Sequence, residues 1–165
     1  HLAKYSGRFV EAREMQDYGL MKHTIVDSWV IVLASANMLN LDLARFLIDE
    51  QEPEDCLTSV VAKFVNRFSL YESPFDLAQF ELAKIAGRMA KACESLDHME
   101  RFDSRGHLEE GVIDAARLIL VLVDWLRMDL RSAVISRWKE VEDKSIFLRS
   151  TSARDAQDPS LLTLP

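Results

Sequence analysis

The sequence predicts an all-α protein. It is expected to have a four-helix-bundle core made of two tandem helical hairpins related by a pseudo-twofold axis, with flanking helices. Three observations carry that expectation. Glycine and proline number only 5 and 4 in 165 residues, while Ala, Leu, Glu, Arg and Met are plentiful, so helix is favoured almost everywhere. No segment alternates apolar and polar residues at the period of a strand. The opening stretch of the chain also recurs at an offset of 80.

The elements follow from the punctuation. A first helix is predicted over 2–17, ending at Tyr18–Gly19, and a second over 23–39. The second is apolar on nearly every side around Trp29, which places it inside a bundle. Helices over 42–51 and 54–70 flank Glu52–Pro53. Ser73–Pro74 starts the longest helix, 74–99, with Ser as N-cap and Pro at the first helical position. A loop at Phe102–Gly106 precedes a helix over 108–126, again apolar all round near Leu120, and a last helix spans 129–147. Residues 149–165 lack periodicity and read as a tail. The expected organisation is one domain over 1–148, with repeat one at 1–70 and repeat two at 74–148, followed by the C-terminal tail at 149–165.

The repeat is explicit. HLAKYSGRFVEAREMQD (His1–Asp17) and ELAKIAGRMAKACESLD (Glu81–Asp97) agree at eight of seventeen positions. The helices that follow align at an offset of 87, with Asp27/Asp114, Leu33/Leu120, Leu39/Leu126, Asp42/Asp129 and Leu43/Leu130 identical. The seven-residue difference is expected in the hairpin loop, where insertions cost little. One hairpin cannot bury both of its apolar faces alone, but two copies about a twofold axis cover each other.

Composition narrows the function classes. Hydrophobic residues make up 48%, enough for one sizeable core and too many for a disordered chain. A net charge of −7 excludes broad binding to a nucleic-acid backbone, which runs on clustered Lys and Arg. The longest apolar stretches, 25–41 and 112–126, carry Asp27, Asp114 and Asp124 and fall short of a clean span, so no membrane partner is expected. No secretory signal is visible. Cys56 and Cys93 lack CxxC spacing and read as small buried hydrophobes, which suits a reducing, cytoplasmic location.

The run from Asp114 to Lys144 resembles the ExxD helix and following helix of the MazG-like all-α NTP pyrophosphohydrolases. An Asp is followed ten residues later by a second acid, then Leu-x-hydrophobic-Asp-Leu, then Ala-Val and basic residues. Leu2–Glu14 similarly resembles the first helix of that family, with Gly7, Phe9 and Glu11 in its frame. The resemblance covers about two thirds of the chain. It implies hydrolysis of a nucleoside triphosphate to the monophosphate and pyrophosphate, by Mg²⁺ held between an ExxE helix and an ExxD helix. Carboxylates three or four apart share a helix face, so two antiparallel helices converge four of them on hard cations.

This chain departs from that pattern at the decisive positions. The family acids of the first helix fall on Lys4, Tyr5 and Arg8 in one copy and on Lys84, Ile85 and Arg88 in the other. The ExxD becomes Thr24–Asp27 and Gly111–Asp114. Lys and Arg offer donors and no lone pair, so no cofactor is expected. Two readings of Lys4, Arg8, Asp27, Lys84, Arg88 and Asp114 stand open. The cations grip phosphates directly, or each Arg pairs with its Asp as a bridge between helices. In an alternative, Mg²⁺ is held by Glu11, Glu14 and Asp27, with Glu94, Glu110 and Asp114 helping from the second copy. No other residue offers a catalytic arrangement. Three functions follow for comparison: a MazG-like protein with a degenerate metal site that binds a nucleotide or a partner, an active Mg²⁺-dependent pyrophosphohydrolase, and a helical interaction scaffold. The expected partners are a nucleotide, the internal pseudo-dimer, and a second copy as a homodimer.

Overall fold

The computed structural model describes residues 1–48 and 57–144, and every regular element among them is helical. In order these are α1 (Leu2–Glu14), α2 (Tyr18–Leu39), α3 (Ala44–Leu47), α4 (Leu57–Ala62), a 3₁₀ turn (Val65–Phe68), α5 (Pro74–Asp97), α6 (Ser104–Trp125) and α7 (Leu130–Lys144). The chain divides into two compact units, His1–Asp129 and Leu130–Pro165. The sequence reading carried one domain through 148, whereas α7 belongs to the second unit. The predicted tail at 149–165 lies outside the described residues.

In the first unit α1 packs on α2 and α5 on α6, while α1 also packs on α5 and α2 on α6, closing a ring of four helices. All four neighbours run antiparallel. Arg13, at the end of α1, pairs with Asp76 in the first turn of α5 at 2.7 Å. Arg105, at the start of α6, donates to the Leu39 carbonyl at the end of α2 at 2.9 Å. That contact satisfies one of the carbonyls a helix end leaves open. Phe9, Met21, Ile25, Phe75, Leu82 and Leu118 fill the interior and are essentially sealed from solvent. At roughly 1.5–3 kcal/mol per fully buried large side chain, this interior is the main favourable term in the fold.

The ends of the four core helices share one construction. Gln16, Asn40, Met99 and Arg127 each take a left-handed conformation, with φ between 50° and 54°. In each case the next amide reaches back to close the last turn: Asp17 to Ala12, Leu41 to Ala36, Glu100 to Ser95, and Met128 to Val123. Asn40 and Arg127 are related by the offset of 87 seen in the sequence.

Several helix limits differ from expectation. α2 begins at Tyr18 and α6 at Ser104, because Asp17 and Asp103 act as N-caps, accepting from the amides of Leu20 and Gly106 at 2.9 Å each. Gly19 and Gly106 therefore belong to first turns, not loops. The seven extra residues of the second hairpin are shared between a longer α5, a longer loop and the start of α6. The helix expected over 42–51 is only one turn among the described residues. The one expected over 54–70 stops at Ala62 and tightens, with Phe64 bonding back three residues to Val61. β-Branched Val60, Val61 and Val65 with Asn66 and Ser69 give that stretch little helical preference.

The core is not evenly shared. α3 and α4 both pack on α6, whereas nothing comparable covers α2 among the described residues of this unit. α6 is buried along most of its length, while Leu33 and Met38 of α2 are exposed. Trp29 is half-buried, and Trp125 and Trp138 are exposed. Cys93 is exposed rather than buried, and Cys56 lies outside the described residues.

The glycines separate two kinds of constraint. A Cβ at Gly7 or Gly87 meets nothing within 4 Å, whereas at Gly111 it meets the Met89 side chain at 2.5 Å, where α5 and α6 come close. Gly7→Ala and Gly87→Ala should each raise stability by about 1 kcal/mol in urea unfolding, and Gly111→Ala should lower it by roughly 1–3 kcal/mol.

Candidate functional site

The positions singled out by the repeat come together in pairs. Asp27 lies on the buried side of α2 and meets Arg8 of α1 at 3.9 Å and His23, one turn earlier, at 3.7 Å. Asp114 lies at the equivalent place on α6 and receives a hydrogen bond from Arg88 of α5 at 2.8 Å. The Arg88 contact is not the two-pronged fork that an Arg–Asp strut would favour, since it reaches a single oxygen of Asp114.

The second pair is the more elaborate. The other oxygen of Asp114 accepts from Arg67 of the 3₁₀ turn at 3.0 Å, and Arg117, one turn along α6, lies 3.6 Å from that same oxygen. Arg117 also donates to the Phe46 carbonyl at 3.3 Å, while its Nε is buried with no hydrogen-bond partner. Three guanidinium groups thus surround one carboxylate. Arg67, Asp114 and Arg117 line a polar cavity of about 370 Å³, with Glu110 at its rim and Phe46 and Ile113 as apolar walls. Arg117 was legible as the i+3 neighbour of Asp114 on a predicted helix, and the sequence reading missed it. Arg67 had no such signal, because it reaches Asp114 from 47 residues away through a turn that pattern alone does not place.

Lys84 takes part in an adjoining network rather than in the cavity. It donates to Glu81 at 2.7 Å and to the Tyr71 hydroxyl at 3.2 Å, and that hydroxyl donates to the same Glu81 oxygen. Partial burial pushes the Glu81 carboxyl up, but hydrogen bonds from Lys84 and Tyr71 and the charge of Lys84 outweigh it and hold the group below the usual carboxylate range. The bond to Glu81, followed by partial burial, raises the Tyr71 phenol, and the bonds to Glu81 and Tyr71 raise the Lys84 ammonium. Lys4 is exposed and stands over the Tyr5 ring at 4.4 Å, away from any such network among the described residues.

The acids of the Mg²⁺ alternative are scattered. Glu11 and Glu14 are exposed on α1, and Glu94 is exposed on α5 beside Lys91 at 3.5 Å. Among the described residues no three of His, Cys, Asp and Glu gather where a metal ion would need them. The residues present do not fit the metal that the family resemblance implies, because guanidinium groups hold the two aspartates instead. No helix among the described residues is long and apolar enough to cross a membrane.

Compared with protein families, curated proteins and solved structures, the chain matches none.

A lowered folded-state pKa means that the stabilisation from Glu81 is present above the ordinary carboxylate value and fades as pH falls through the lowered one. Glu81→Gln should therefore reduce the urea midpoint at neutral pH, and the difference from the parent chain should close in strong acid.

Proposed function

We propose that this chain is a MazG-like helical protein that binds a phosphorylated small molecule, of the nucleotide class, through guanidinium groups in place of metal, without the hydrolysis typical of that family. The gathering of Arg67, Arg88 and Arg117 around Asp114 beside an open polar cavity carries the reading. Stability alone does not account for it. The Arg67 and Arg88 side chains are about half exposed, and each exposed pair contributes only about 0–1 kcal/mol. Yet three like charges are held together in a protein whose net charge is −7. Guanidinium forks match phosphate oxygens. Phe46 and Ile113 offer an apolar wall for the uncharged part of a ligand.

The fold supports the family reading in outline. A closed ring of antiparallel helices is what two hairpins about a twofold axis would form, and the pairs Arg8–Asp27 and Arg88–Asp114 are equivalent under the offsets of the sequence repeat. The second half is then the binding half, since Asp114 is the aspartate that Arg67 and Arg117 reach beside the cavity. One observation favours a second reading: Glu110 and Asp114, a turn apart, share the same cavity, which is the remnant a Mg²⁺-dependent pyrophosphohydrolase would use.

With EDTA present, a nucleoside triphosphate or inorganic pyrophosphate should raise the melting temperature of the full chain. At a hundredfold excess over Kd the stabilisation should be about 2.7 kcal/mol. Arg67→Ala with Arg117→Ala should abolish it. Release of pyrophosphate that requires Mg²⁺ and is lost in Glu110→Gln would establish the second reading instead. No response to either compound, with EDTA or with Mg²⁺, would overturn both and leave a helical scaffold.

A further inference from the structure

The second unit poses a separate problem. α7 buries none of its residues, yet it is not polar all round. Leu130, Val134, Trp138 and Val141 recur at spacings of four, four and three and lie along one face, with Ile135 at its edge. Ile135, Trp138 and Val141 are 49%, 57% and 51% exposed. A helix of 15 residues is marginal in water without a packed face, and while Leu130 and Val134 are half-buried, the exposed part of the stripe requires cover.

The charges beside the stripe select what covers it. Arg131 and Glu142 lie on the same flank, eleven residues apart, which is about three helical turns. When two identical helices pack antiparallel about a twofold axis, each flank meets the same flank of the other helix. A flank that is basic at one end and acidic at the other is then complementary to itself. In a parallel pair it would meet the opposite flank, which carries Lys144 and Arg137, and Arg137 is already engaged with Glu140 at 2.9 Å. Antiparallel packing also opposes the two helix dipoles favourably.

We propose that α7 is a homodimerisation element, packing antiparallel on α7 of a second copy of this chain. Trp138 lies against the partner's Val134, Leu130 against the partner's Val141, and Arg131 pairs with the partner's Glu142, with every contact made twice by symmetry. The two salt bridges set direction and register, and the apolar stripe supplies the affinity.

Sedimentation of the full chain over micromolar to hundreds of micromolar concentration tests this. A monomer–dimer equilibrium is expected, and Trp138→Glu should weaken it by at least about tenfold, as loss of a central aromatic anchor does. Arg131→Glu, on an exposed flank that folding does not depend on, should weaken the dimer by setting like charges together twice. Combining it with Glu142→Arg should restore the dimer. A chain that stays monomeric throughout, or a dimer indifferent to Trp138→Glu, would overturn the proposal. Failure of the double exchange to rescue would overturn the antiparallel pairing.

Discussion

A helical hairpin exposes more apolar surface than its own two helices can hide, and the first unit of this protein is organised by that constraint. α2 and α6 are too apolar to stand at a surface, so each needs a second neighbour besides its hairpin mate. The ring α1–α2–α6–α5 gives every core helix two flanking helices, and the antiparallel sense of all four contacts follows from joining hairpins rather than single helices. The polar features sit on that frame. Arg13 reaches Asp76, and Arg105 reaches the end of α2, only because the frame brings opposite helix ends together.

The same frame fixes where Asp27 and Asp114 must lie. Both project from apolar helices toward the hairpin partner, and a carboxylate with that little exposure needs a counter-charge. Arg8 and Arg88 supply it. With acids a divalent cation would have to mediate between the helices, whereas with guanidinium groups the helices meet directly. What is then added around Asp114 exceeds neutralisation, and that excess charge is the physical basis for reading the second hairpin as a phosphate site.

Much of this was legible in the sequence, and the failures have definite causes. The helical class, the two hairpins and the facing of Arg8 with Asp27 and of Arg88 with Asp114 follow from period, punctuation and repeat. The starts of α2 and α6 did not, because Asp17 and Asp103 capping past a glycine outweigh the glycine as a breaker. The stretch after α4 was read as helix from its apolar spacing, although its β-branched residues favour a tighter turn that delivers Arg67. Arg117 went unrecognised because attention stayed on the ExxE and ExxD positions of the resembling family, and Arg67 because sequence pattern does not place the turn that carries it. Apolar spacing reports which side of a helix is oily, not whether anything lies against it, and Trp125 and Trp138 fall on apolar faces yet are exposed.

The way α3 and α4 lie over α6 gives the molecule an asymmetry that its sequence repeat lacks. Two identical chains meeting as a dimer must change in step, since one mutation alters both sites at once. Here both hairpins lie in one chain, and among the described residues α3, α4 and the 3₁₀ turn together bring Phe46 and Arg67 to Asp114 on α6. Within a single chain the two aspartates are therefore free to differ, since a substitution beside Asp114 leaves the surroundings of Asp27 as they are.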